Sequence, residues 1–401
     1  MRKILFLTSR NVMTSSGELR LIKNRAEFLH SSGVRTDFIA LQRRRKNKRH
    51  EEIHAGGTMK VYYIDKNPIR CISNAIKMVL AIRKQLRCNE YEIVVLSGPA
   101  MPLLCKMIRK KSKSKILIDI HGACEDALLL SKGNGLLKKV KSRFIFIVDH
   151  ISLKNGLKKA DGAFVVTKYL RDYITDRYVL NNNFRFFVVP CGVAFDYRIN
   201  EKNYLKNRVK YRQKYNIKDD EIVFLYSGGT STWQCLKETV RLYDAISKAM
   251  PGRTRCLFFS HNENEIKKYT GELGKDVLVD VYDVAELRAA LCAGDYGFLL
   301  RQKSIVNEVA FPNKYLEYVS SGLQIITTCY VKEIAKQVKR YNLGFALNSL
   351  DNEKALDEIR RKGVSHSKID FKTIEVVLGI NSFENTLSPF IDYINENGGN
   401  R

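Results

Sequence analysis

None of the nine cysteines pairs with another as C-x-x-C, and none falls in a zinc-ligand spacing. That pattern excludes a small metal-built or disulfide-built domain and reads as reduced, buried thiols of a cytosolic protein. No window approaches the roughly 18 consecutive apolar residues that a membrane span needs. The opening, MRKILFLTSR, carries charge and an apolar run, but the run is too brief for a signal peptide and reads as a first buried strand. There is no D-x-D and no G-x-G-x-x-G, so neither the usual loop for a divalent cation nor the dinucleotide fingerprint is present. Tryptophan occurs once, at position 233; on sequence grounds it reads as a packing anchor rather than a stacking platform.

Acidic residues are scarce in one half only. Residues 1–190 hold 15 Asp+Glu against 38 Lys+Arg, a net of +23 out of +27 for the whole chain. The excess gathers at 43–49, 109–115 and 138–143. Such a field attracts anionic surfaces or substrates, and each cation near an anionic bilayer contributes about 1 kcal/mol. Peripheral attachment to an anionic membrane is therefore expected, at the inner face of the plasma membrane.

What the chain does contain is a repeated alternation of apolar runs and helical stretches. At 401 residues, 45% of them hydrophobic, it fits two domains with packed cores. Strand signals recur at 2–8, 36–41, 59–64, 93–96, 115–120, 160–167 and 186–190. They restart at 222–226, 255–260, 277–281, 296–300 and 323–328. The expected boundaries are 1–195, strongly basic; 196–385; and a terminal stretch, 386–401, returning to the first domain. The polar stretch of about 30 residues up to Asp220 reads as a connection between the two. The basic, partly apolar run 135–160 reads as an interfacial helix.

The segment 295–328 is the most informative. A strand ending at Leu300 leads through a loop to Pro312-Asn313, a helix from Lys314 to Ser321, Gly322, and another strand. Proline suits a helix start and glycine the residue after its end. In open parallel sheets, ligands bind beyond the carboxyl ends of the strands, with phosphates at helix N-termini. Arg301, Asn313 and Lys314 lie there, and Glu317 sits one turn further on, placed to accept from ribose hydroxyls. The loop after 222–226 contains Gly228 and Gly229, which admit a phosphate or sugar close to the backbone. Gly17, after the first strand, has the same property. His121 follows the strand 115–120, with Glu125 and Asp126 just beyond it.

The segment 295–328 resembles the donor-binding segment of GT-B glycosyltransferases, in particular the family 4-like group (glycosyl transferases group 1). The resemblance implies an α/β fold of two Rossmann-like, doubly wound parallel-sheet domains facing each other across a cleft. It implies that Glu317 grips the ribose of a UDP- or GDP-sugar. The family's second carboxylate, eight residues earlier, falls on Val309 here, with Glu308 beside it as the candidate sugar contact. It further implies that His121 touches the donor sugar, that the loop holding Gly17 closes over donor or acceptor, and that Tyr282 and Val284 frame the nucleobase. Pro190-Cys191-Gly192-Val193 resembles the turn before the interdomain linker.

Departure of a nucleoside diphosphate needs charge stabilisation of the leaving group, which helix amides with Arg301 and Lys314 supply. No metal or other cofactor is required on this reading. The resemblance implies retention of anomeric configuration; an inverting enzyme would need a base near the acceptor, for which Glu125 and Asp126 are the candidates. The expected acceptor is a glycan or polyprenyl-diphosphate-linked molecule in cell-surface polysaccharide synthesis. Two other readings stay open at this point: a sugar-nucleotide epimerase of the same architecture, and an anionic-polymer-binding protein, although no nucleic-acid motif appears.

Overall fold

The computed structural model describes residues 2–10, 12, 17–43, 53, 55–64, 68–129, 136–192, 200–271, 277–366 and 369–398. The chain divides into two units: Met1–Gly192 with Phe383–Arg401, and Val193–Ser382.

The first unit is built on a seven-stranded sheet of β1 (Arg2–Thr8), β2 (Val34–Arg43), β3 (Gly56–Ile64), β4 (Ile93–Ser97), β5 (Lys115–Ile120), β6 (Gly162–Val165) and β7 (Arg185–Val188), in the order β3-β2-β1-β4-β5-β6-β7. Every pairing is parallel. Strands covered on both faces must be apolar throughout rather than alternating, and β4, IVVLS, is buried along its whole length. The order reverses between β1 and β4, which opens a space beyond Thr8 and Ser97. The helix Ser388–Gly398 completes this unit's core: Phe390 packs edge-on against Phe164 at 4.7 Å and Phe187 at 5.3 Å.

The second unit repeats the plan with six parallel strands: β8 (Ile222–Ser227), β9 (Thr254–Phe259), β10 (Val277–Asp280), β11 (Tyr296–Leu299), β12 (Gln324–Thr328) and β13 (Gly344–Leu347), in the order β10-β9-β8-β11-β12-β13. Here the reversal lies between β8 and β11. Several helices start on a side-chain oxygen, as when Asp283 accepts from the Glu286 amide and Asp351 from that of Lys354. The core stacks Phe224 on Tyr296 and Phe298, with ring centroids 5.3 and 5.7 Å away.

One expectation needs correcting. The stretch read as a connection up to Asp220 contains a 14-residue helix, Glu201–Lys214. It belongs to the second unit. Arg208 donates to the Asp295 carboxylate at 2.6 Å, and the other oxygen of Asp295 accepts from the Val223 amide at 2.8 Å. Tyr204, Tyr211 and Arg212 are the helix's buried residues, so tyrosines do the packing that the polar composition hid.

Candidate functional site

In the second unit, the residues assigned from the sequence assemble beyond the ends of β8 and β11. The helix Asn313–Ser320 begins after Pro312, whose side chain gives no cap. The first amides of a helix have no intrahelical acceptor, so this end favours an incoming anion. Lys314 lies over the Tyr226 ring, 4.2 Å from its centroid, and donates to the Gln234 side-chain oxygen. Gly228 sits against it with φ of +117°; a Cβ there would lie 2.6 Å from the Lys314 Nζ. The positive φ is the part that calls for glycine, since the lysine end could give way to a Cβ. Tyr226 also donates to the carbonyl of Gly229.

Arg301 is buried just past β11 and donates to the Leu300 carbonyl at 2.9 Å, while its own carbonyl accepts from Thr328 at 2.8 Å. Burial, and then the Arg301 charge, hold the Lys314 ammonium well below the ordinary lysine range; Glu317 pulls the other way and is outweighed. Arg301 is itself lowered by burial. Two cations are thus held near one another at a cost that an anion between them would remove. Glu317 is buried on the same helix.

Glu308 ends a short helix, Ile305–Glu308, and its carboxylate pairs with Lys332 at 2.7 Å. Tyr282 is buried, edge-on to Phe259 at 5.1 Å, and its hydroxyl accepts from Lys214 at 2.7 Å. Val284 starts the helix Val284–Leu291. Trp233 lies in the turn Thr232–Gln234 and is only half-buried.

In the first unit, His121 follows β5. Its Nε2 is 2.8 Å from Asp119, whose other oxygen accepts from Arg25 at 2.8 Å; Ser97 donates to the same carboxylate at 3.0 Å. Arg10 in turn donates to Ser97 at 3.3 Å. Burial alone would raise Asp119, but Arg25 and His121 overcome it and hold the carboxyl far below its usual range. Burial, and then Arg10, lower His121, leaving a neutral imidazole oriented by Asp119. Gly17 is the first residue of the helix Gly17–Ser31; Ser15 and Ser16 before it lie outside the described residues, as do most of the cations at 43–49 and Val193. Glu125 accepts from Tyr173 at 2.6 Å and pairs with Arg177 at 2.7 Å. Asp126 is exposed at the start of Asp126–Leu129. Sequence reasoning missed Arg10, Arg25, Tyr226 and Gln234. The contacts that bring Arg25 to Asp119, Arg10 to Ser97 and Gln234 and Tyr226 to Lys314 cross 80 or more residues, and nothing local marks them.

No family model matches this chain, and no curated protein matches it. Among solved structures, its fold is similar over the whole length to several. A sucrose-phosphate synthase from Thermosynechococcus elongatus superposes with a TM-score of 0.73 at 14% identity, covering 99% of this chain and 99% of that one. A glycosyltransferase from Rickettsia africae gives 0.67 at 16%, covering 100% and 99%. WaaG, a glycosyltransferase involved in lipopolysaccharide biosynthesis, gives 0.65 at 13%, covering 97% and 98%. At these identities the likeness is one of fold: two parallel α/β sheets of the GT-B type.

Proposed function

We propose that this protein is a glycosyltransferase, of the hexosyltransferase type, that moves a sugar from a UDP- or GDP-sugar to a glycan or polyprenyl-diphosphate-linked acceptor in cell-surface polysaccharide synthesis. One observation carries the reading. A buried arginine just past β11 stands near a lysine of depressed pKa at an uncapped helix start, and Gly228 lies against that lysine. The whole-chain likeness in fold to glycosyltransferases supports it.

In the reaction, the bond from the anomeric carbon to the diphosphate breaks and its electron pair leaves on a phosphate oxygen. The acceptor hydroxyl forms the new bond on the same face, with retention, and its proton passes to the departing diphosphate. Arg301, Lys314 and the amides at Asn313 stabilise the leaving charge in place of a metal ion. Gly228 and Gly229 let the diphosphate approach the backbone, and Glu317 accepts from the ribose. Glu308 is held by Lys332 and reaches the sugar only by exchanging that partner. His121, neutral and oriented, is a polar contact for the reacting sugar, with Gly17 on the loop side. Glu125, tied to Arg177 and Tyr173, and Asp126, exposed, are the carboxylates offered for acceptor contacts. The basic excess of residues 1–190 fits an anionic, lipid-linked acceptor at an anionic membrane surface.

The test is release of UDP or GDP from a panel of nucleotide sugars with and without acceptor. Release that depends on acceptor and is lost in Arg301→Ala and Glu317→Ala is expected. Epimerised nucleotide sugar without acceptor, or near-normal turnover in either variant, overturns the reading.

A further inference from the structure

The helix Leu136–Leu157 has one face packed and one face bare. Ser142, Ser152, Leu153, Gly156 and Leu157 are buried. Gly156 approaches Pro102 so closely that a Cβ would collide with it, which seats this end of the helix on the turn Met101–Leu104. The opposite face carries Leu136, Leu137, Val140, Phe144, Ile147 and Ile151, all exposed, Leu137 at 87% and Phe144 at 65%. At about 100° per residue these six fall within one arc of about 100°. Exposed large apolar residues scattered singly need no explanation, but a contiguous row of six does.

The charges around the row say what covers it. Lys139, Lys141 and Arg143 border the row and Lys154 lies within its arc, all of them exposed. The helix's single acidic residue, Asp149, lies on the side away from the row and is half-buried. A second copy docking through the same face would be related by a two-fold axis and would set these cations against one another. Nucleic acid offers nothing to the row of aliphatic side chains. A surface that is apolar below an anionic layer satisfies both. No described helix is long and apolar enough to cross a membrane, so the geometry is that of a helix lying along one.

We propose that the helix Leu136–Leu157 is the docking surface of this protein on an anionic lipid bilayer, with Leu137, Val140, Phe144, Ile147 and Ile151 entering the acyl boundary and the flanking lysines and arginine meeting the headgroups. This deepens the reading of a lipid-linked acceptor and rests on it for its purpose, but its physical test is separate. The full chain is mixed with vesicles of phosphatidylcholine alone, or of phosphatidylcholine with phosphatidylglycerol, and floated on a gradient. The protein is expected to float with the anionic vesicles and not with the neutral ones, less so at high salt. The double substitution Phe144→Glu/Ile147→Glu is expected to lower the vesicle partition coefficient roughly a hundred-fold, while Lys141→Glu/Arg143→Glu weakens binding to anionic vesicles alone. Both pairs are at the surface, so thermal midpoint and thermal stabilisation by a UDP- or GDP-sugar should match the parent. Parent protein that fails to float, variants that float equally well, or a dimer in sedimentation that the double substitution dissolves each overturn the proposal. Failure of sugar-nucleotide binding with flotation intact overturns the proposed function instead and leaves the docking surface standing.

Discussion

The two sheet edges carry buried charge in opposite ways. Beyond β5, Asp119 answers Arg25 and orients His121, so charge is balanced among the side chains already present. Beyond β8 and β11, Lys314 leans on an amide oxygen and an aromatic face, and Arg301 on a backbone carbonyl, while each is disfavoured by burial. At one edge a buried ion pair is already formed; the other is relieved by an anion. The lesson is that a buried charge identifies a binding site when its surroundings leave it short of compensation, not merely when it is buried.

Substitutions can break this contrast, and the largest effect is expected in catalysis. Arg301→Ala should lower acceptor-dependent nucleotide release by about 10²- to 10³-fold, the usual cost of removing one donor to a developing anion. The thermal midpoint of the same variant should stay near that of the parent. On the balanced edge the effect falls on folding: Asp119→Ala leaves Arg25 buried and unpaired, costing about 3–5 kcal/mol in urea denaturation. Equal stability of that variant would dissolve the distinction between the edges. Lys314→Met should reverse the pattern, keeping or raising stability while weakening nucleoside diphosphate binding about ten- to a hundred-fold, read by calorimetry.

The smallest effect is the pH response, and it sharpens the contrast most. Because Lys314 is depressed in the folded state, the unfolded chain binds its proton more readily between the depressed value and the ordinary lysine range. Stability without ligand contributed by this group therefore rises with pH across that window and is lower below it. A diphosphate favours the charged form, so its binding should take up a proton and weaken as pH climbs through the same window. Calorimetry in buffers of different ionisation heat measures the uptake; none, or a loss that Lys314→Met shares, would place the charge elsewhere.

Much of the fold was legible because parallel strands are continuous apolar runs. The first, Arg2–Thr8, coincides with its apolar run, and the strand-helix-strand of β11, Asn313–Ser320 and β12 was marked by Pro312 and Gly322. Arg301 and Lys314 were found for the same reason: a strand end and a helix start are local features. The helix Glu201–Lys214 was read as a connection because its buried side carries tyrosines and an arginine rather than aliphatic residues at helical spacing. The partners that tune the site were invisible. Gln234 lies 80 residues from Lys314, and Arg25 lies 94 from Asp119. No pattern in a single chain announces a contact across that separation.

The pairing of Phe390 with Phe164 and Phe187 has a consequence for biosynthesis. The second unit is an insertion whose chain is complete before the first unit receives its last core aromatic. On a ribosome that makes domains from the N-terminus onward, the later-encoded unit can mature while the earlier one still waits for its closing helix. A chain ending just after Ser382, with the second unit complete and Phe390 missing, would therefore have its earliest-made lobe as the protease-sensitive half.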